Sequence, residues 1–141
     1  MKISTKGRYA LRTMADIAIH QKEGNVSLRD ISARQEISVK YLEQVVSLLT
    51  RSELLITSRG AMGGYRLKKN PEDYTVGEIL RVAEGDIAPV ACLSEGAPEC
   101  PRKAECITLP VWQGLEKVIY AYLDGITLAN VLQQSGIDCI E

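Results

Sequence analysis

Two capping serines, a β-favouring run and a glycine-rich turn between residues 27 and 67 restrict this chain more than any other feature. Ser27 is followed three residues later by Asp30, a spacing in which short polar side chains satisfy free N–H groups at a helix start. Leu28 and Ile31 give that helix an apolar side, and its pattern stops near Glu36. Ser38 caps the next helix, with Leu42, Val45, Val46 and Leu49 on one face. Leu54-Leu55-Ile56-Thr57-Ser58 favours a strand. Arg59-Gly60-Ala61-Met62-Gly63-Gly64 then turns the chain, and Tyr65-Arg66-Leu67 returns it as the second arm of a hairpin. Short helix, tight turn, helix and hairpin, in that order, predict a winged helix-turn-helix.

The flanking patterns extend this unit. Residues 5–21 carry Leu11, Met14, Ala15 and Ala18 at helical spacing, and Gly24-Asn25 ends the helix. Pro71 and Asp73 interrupt the chain before Thr75, which caps a helix bearing Val76, Ile79, Leu80 and Ala83 that Gly85 closes. Residues 85–106 hold Gly, Pro, Ser and Cys without apolar periodicity and read as loop. Thr108 and Pro110 open a long helix. Its stripe of Trp112, Leu115, Ile119 and Tyr122 is widened by Val111, Val118 and Leu123. A last short helix opens at Thr127 and is followed by Asn130. The expected fold is mostly α with a small β-hairpin. It divides into a winged helix-turn-helix at 1–84, a cysteine-bearing loop at 85–107, and a long dimerisation helix plus C-terminal helix at 108–141. The stripe over 110–124 is too broad for one packing surface, so burial against a second copy in a homodimer is expected.

A net charge of −1 says little about partners, but its distribution says more. Residues 1–69 hold thirteen Lys/Arg against six Asp/Glu, and residues 70–141 hold four against twelve. A basic half joined to an acidic half points to a polyanion-binding part with a separate task behind it. No apolar run approaches the ~20 residues needed to cross a bilayer. The start Met1–Lys6 lacks the apolar stretch of a signal peptide. A cytoplasmic protein with no membrane partner is expected.

In a winged helix-turn-helix the N-terminal residues of the second motif helix meet base edges in the major groove. Ser38, Lys40, Tyr41, Glu43 and Gln44 occupy those positions, largely off the Leu42/Val45/Leu49 face. A Gln amide pairs with adenine, and a Glu carboxylate accepts from the cytosine amine. Arg59 lies at the hairpin tip, where a guanidinium reaches a minor groove. Tyr41 also suits the edge of the core, and Glu43 suits a solvated helix face.

Cys92, Cys100 and Cys106 form C-x₇-C-x₅-C in the loop, while Cys139 stands apart near the end. A reducing compartment disfavours structural disulfides. Three thiols between two helices suit an iron–sulfur centre or a soft metal such as zinc, then a thiol redox switch, then inert cysteines. No CxxC pair, nucleotide loop or acid–base pair points to an enzyme.

Four separated blocks, MKISTKGRYALRTMADIA, DISARQEISVKYLEQVVSLL, SRGAMGGYRL and YTVGEILRVAEG, resemble in order the bacterial Rrf-two family of transcriptional regulators. CITLPVWQGLEKV continues the likeness past the cysteines, and the branch that senses iron–sulfur clusters is the nearest in pattern. The resemblance implies a homodimer that binds double-stranded palindromic promoter DNA and senses cluster status, iron, nitric oxide or redox state. It maps Cys92, Cys100 and Cys106 onto three cluster ligands, with a longer first gap than is usual and a 2Fe–2S cluster preferred to 4Fe–4S.

One departure stands out. In the cluster-sensing branch the resemblance implies a fourth ligand, a histidine three residues past the last cysteine; that position is here Leu109. Some relatives instead take a ligand from the first helix of the partner subunit; the matching positions here are Arg8 and Arg12, which stay protonated. Cys139, Glu105 or another loop carboxylate, an exogenous small molecule, or no fourth protein ligand remain. His20, the only histidine, sits at a helix C-terminus and reads as a surface residue. The expected function is a cluster-binding regulator of iron–sulfur assembly genes. The alternative is a cluster-free regulator of cysteine metabolism acting through thiol redox state or a partner protein.

Overall fold

In the computed structural model, which describes residues 2–135, serine and threonine hydroxyls start five of the six helices found among those residues. Ser4 caps α1 (Thr5–His20), Ser27 caps α2 (Leu28–Gln35) and Ser38 caps α3 (Val39–Arg51). Thr75 caps α4 (Val76–Glu84), and Thr127 caps α6 (Leu128–Gln134). In each case the hydroxyl accepts from a backbone N–H that has no partner within the helix. The exception is α5 (Leu109–Asp124), where Thr108 makes no side-chain cap and a proline in the first turn removes one of the free donors.

Between α3 and α4, β1 (Leu55–Ser58) pairs antiparallel with β2 (Gly64–Leu67), Leu55 opposite Leu67 and Ser58 opposite Gly64. The hairpin is anchored from three sides. Val26 and Tyr65 exchange backbone hydrogen bonds of 3.0 and 2.8 Å, and the Gln21 amide oxygen accepts from the Leu67 N–H at 2.9 Å. Gly64 permits this approach: its φ is +152°, and a Cβ there would stand 2.5 Å from the Val26 carbonyl oxygen. The buried Tyr74 hydroxyl donates to the Leu54 carbonyl at 2.7 Å and accepts from the Lys69 N–H at 2.8 Å.

The expected face of α3 is the one found: Leu42, Val45, Val46 and Leu49 are all buried. In α1 the buried face is rotated. Ala10, Met14 and Ile17 are fully buried, whereas Leu11 and Ala15 are only partly so. The reason is that α1 packs against α2 and α3 as well as α4, so a single narrow stripe does not describe it.

The two described helices of the segment 108–141, α5 and α6, pack in different ways. The chain turns at Gly125, Val76 donates to the Ile126 carbonyl at 2.9 Å, and Leu128 donates to the Tyr74 carbonyl at 3.0 Å. Leu128 and Leu132 of α6 then enter the core formed by α1 and α3. Asn130 does not follow this helix but lies in its first turn, its side chain returning to the Thr127 N–H at 2.9 Å in a capping box. By contrast α5 buries none of its side chains fully. Tyr120 and Leu123 pack against Val76, Leu80 and Ile87, while Val111, Trp112, Leu115, Val118 and Tyr122 are exposed. Among the described residues no helix is long and apolar enough to cross a membrane.

Candidate nucleic-acid interface and cysteine loop

The exposed side of α3 begins at its cap. Ser38 is exposed, but its hydroxyl accepts from the Tyr41 N–H at 3.2 Å, so its first task is to start the helix. Lys40, Glu43 and Gln44 are exposed along the first turns. Tyr41 is half-buried, its ring edge-on to Tyr9 at 5.4 Å between centroids, which joins α3 to α1. Arg59 is exposed at the start of the hairpin turn. Ser47 and Arg51 continue the exposed face of α3, and with Glu43, Thr50, Thr57 and Tyr65 they line a groove of about 270 Å³ beside the hairpin. Arg51 was not singled out from sequence, although the spacing 43, 47, 51 carries the signal. Lys40, Arg51, Arg59 and Arg66 form no ion pair among the described residues.

A buried polar network sets the angle between α1 and α2. Asp16, 1 % exposed, accepts from Arg34 Nε at 3.0 Å, Arg34 Nη2 at 2.7 Å and Gln35 Nε2 at 2.9 Å. The Asp16 carboxylate raises the already high Arg34 pKa through these hydrogen bonds. Arg12 donates to the Gln35 side chain at 3.2 Å and to the Gln35 carbonyl, and its guanidinium lies 5.2 Å over the Tyr9 ring. That engagement, added to its fixed charge, removes Arg12 as a metal ligand. His20 is half-buried at the end of α1, lining a small groove with Glu23, Asp30 and Arg34.

The loop from Gly85 to Thr108 joins α4 to α5 and contains two single turns, Ala91–Leu93 and Lys103–Glu105. Asp86 ties its beginning: its carboxylate accepts from the Ala88 N–H at 2.9 Å. The Ser94 hydroxyl, and after it that N–H, hold the acid below its ordinary pKa. Cys92, Cys100 and Cys106 are free thiols, the first two exposed and the third half-exposed. All three line one cavity of about 430 Å³, with Glu99, Lys103, Leu109 and Gln113 also in its wall. Cys106 Sγ lies 3.5 Å from the Thr108 hydroxyl. That hydroxyl, then the Thr108 N–H and the Leu109 N–H at the start of α5, lower the thiol pKa by stabilising the thiolate.

The candidates for a fourth ligand separate. Glu105 lines a different cavity, with Cys100 and Cys106 but without Cys92. Cys139 lies outside the described residues. Leu109 does face the three-thiol cavity and offers only an aliphatic side chain. Among the described residues no three His, Cys, Asp or Glu side chains stand close enough to hold a metal ion. The donor chemistry therefore fits a soft metal or an iron–sulfur centre, since three sulfurs face one space with N–H groups behind one of them. The loop must still draw together around what it binds.

Comparison with known proteins agrees with this reading of the fold. Residues 3–134 match the family model for Rrf2 (Rrf-two) proteins, described as iron-dependent transcriptional regulators. The chain is 40% identical over 137 residues to the protein rrf2 of Nitratidesulfovibrio vulgaris, covering 97% of this chain and 91% of that one. Among solved structures it is similar to CymR, the global cysteine regulator of B. subtilis, at 40% identity and a TM-score of 0.77, covering 95% of this chain and 98% of the other. It is equally similar to IscR of T. potens, at 39% identity and a TM-score of 0.76 over 96% and 88% of the two chains.

Proposed function

Since this chain belongs to the Rrf2 family of transcriptional regulators, we propose that it is a homodimeric, DNA-binding regulator whose promoter affinity depends on an iron–sulfur cluster held by Cys92, Cys100 and Cys106. The observation that carries the proposal is the presence of three free thiols in the wall of one cavity at the start of α5, the helix whose apolar face is left uncovered. Val111, Leu115, Val118 and Tyr122 recur at spacings of four, three and four, which places them along one side of α5. Packing that side on its two-fold mate would bury it and fix two α3 helices at a set separation. A palindromic site with half-sites about one helical turn, ~34 Å, apart follows from that symmetry.

In this reading Lys40, Glu43 and Gln44 meet base edges, Arg59 enters the flanking minor groove, and Ser38 and Tyr41 hold the start of α3 in position. Basic residues without internal partners neutralise phosphates. A bound cluster supplies a redox- and iron-responsive link between residues 92 and 106. The rest follows from the chain's own contacts. Ordering the loop acts on the N-terminus of α5, and Arg81 and Asp124 clamp the other end of α5 to α4 with hydrogen bonds of 2.7 and 2.8 Å. Because α4 packs on α1 and α3, a change in the loop biases how the two reading heads are held. Reduced thiols in this loop suit a cytoplasmic setting, and within this reading 2Fe–2S is preferred to 4Fe–4S, both types taking four protein ligands. Genes for iron–sulfur assembly are the targets that this reading favours.

A second reading has its own support. The sulfurs are not gathered into a ligand set, Leu109 offers no donor, and the likeness to a cysteine regulator is as close as the likeness to IscR. A cluster-free regulator of cysteine metabolism, switched by thiol oxidation or a partner protein, fits those facts. Anaerobic purification separates the two. Visible charge-transfer absorbance with iron and sulfide in stoichiometric amounts supports the cluster; a colourless, iron-free protein after reconstitution removes it.

A further inference from the structure

Three sulfurs do not complete a four-coordinate iron site, and the position three residues past Cys106 carries a leucine. The cavity that the thiols share narrows the choice of a fourth donor. Its wall contains one carboxylate, Glu99, together with Lys103, Gln113 and Leu109. A leucine has no lone pair, a lysine ammonium has only donor hydrogens, and a glutamine amide oxygen is neutral and a weak ligand. Glu105, the carboxylate favoured by sequence position, faces another cavity that Cys92 does not reach.

Resting on the cluster reading above, we infer that Glu99 supplies the fourth protein ligand of the iron centre, through a carboxylate oxygen. The carboxylate is available for this. Its partner is Lys103, four residues on in the loop, at 3.6 Å, with both side chains more than half exposed. An exposed pair of that length contributes little and is readily exchanged for a cation of higher charge. The lost partner remains useful, because the Lys103 ammonium stays in the cavity wall and offsets the negative charge of three thiolates and a carboxylate. Ligation here is a donation of an oxygen lone pair, with no change of oxidation state. The volume of about 430 Å³ is that of roughly fourteen water molecules in the liquid, which leaves room for a small inorganic core among these side chains.

The experiment uses the full-length protein, reconstituted anaerobically with ferrous iron and sulfide, in four forms: wild type, Glu99→Gln, Glu99→Cys and Glu105→Gln. Glu99 is 78 % exposed, so its substitution leaves the folded core untouched, which circular dichroism checks. Readouts are iron and sulfide per chain, the electron paramagnetic resonance spectrum of the reduced cluster, its reduction potential, and the rate of cluster loss to a chelator. Glu99→Gln is expected to change the resonance spectrum and to lose cluster about tenfold faster. Glu99→Cys should retain the cluster at a lower potential, as an all-thiolate set does relative to a mixed one. Glu105→Gln should match wild type. Superimposable spectra and loss rates for wild type and Glu99→Gln would remove Glu99 as the ligand while leaving the cluster in place. A change in Glu105→Gln alone would transfer the role to Glu105. A wild-type protein that takes up no iron and sulfide overturns the cluster itself, and this ligand with it.

Discussion

At the scale of single residues, Asp16 and Arg34 show how a polar interaction can hold a recognition motif in register. Asp16 is buried between α1 and α2, and Arg34 reaches it side-on through Nε and Nη2. Arg34→Ala would leave a buried carboxylate with Gln35 as its remaining partner. Because Arg34 is itself one-third exposed, the expected loss falls below that of a fully buried pair, at about 2 kcal/mol. Urea unfolding measures it, and a loss within experimental scatter would mean that the network is incidental. Asp124 acts differently. Arg81 donates two hydrogen bonds to it and holds its pKa below the ordinary value of 3.8. A carboxyl depressed on folding stabilises the native state fully above its unfolded pKa, and the contribution is lost as pH falls through the lower folded value. The stability difference between wild type and Asp124→Asn should therefore be constant from neutrality to about pH 4 and shrink below it. A difference that persists unchanged in acid would show that the α4–α5 joint does not depend on this ion pair.

At the scale of elements, the proposed reading surface separates into parts with different signatures. Gln44→Ala should relax preference at one base position by about 1–3 kcal/mol, whereas Arg59→Ala should weaken binding across sequences and reduce the salt slope by about one. Fluorescence anisotropy on a set of single-base operator variants at several salt concentrations tests both. Uniform weakening by Gln44→Ala would place its amide on the phosphates. The elements themselves were legible because capping is local: Ser27, Ser38, Thr75 and Thr127 announce helix starts within three residues, and the face of α3 repeats cleanly. Legibility ended where tertiary packing decides. The face of α1 could not be fixed by one stripe, since α2, α3, α4, α6 and β2 all pack on it. The return of α6 to the core depends on backbone pairing of residues 74–76 with 126–128, which no local pattern encodes. The three cysteines were evident from spacing, but the exclusion of Glu105 from their common cavity, and the presence of Glu99 in it, depend on how the loop folds.

At the scale of the whole molecule, the chain joins a basic half, the proposed reader of DNA, to an acidic half that carries the thiols and an uncovered helix face. Val118 is 65 % exposed on α5, so Val118→Asp should leave the monomer fold intact and abolish self-association. Sedimentation velocity reads the result, and an unchanged dimer would move the interface elsewhere. The central claim is that the state of the cysteine loop sets promoter affinity. Its most direct test is anaerobic titration of one palindromic promoter with the reconstituted protein and with the Cys92→Ala, Cys100→Ala and Cys106→Ala variants. The account predicts that the three variants agree with one another and differ from the reconstituted protein by tenfold or more. Four superimposable binding curves would contradict it.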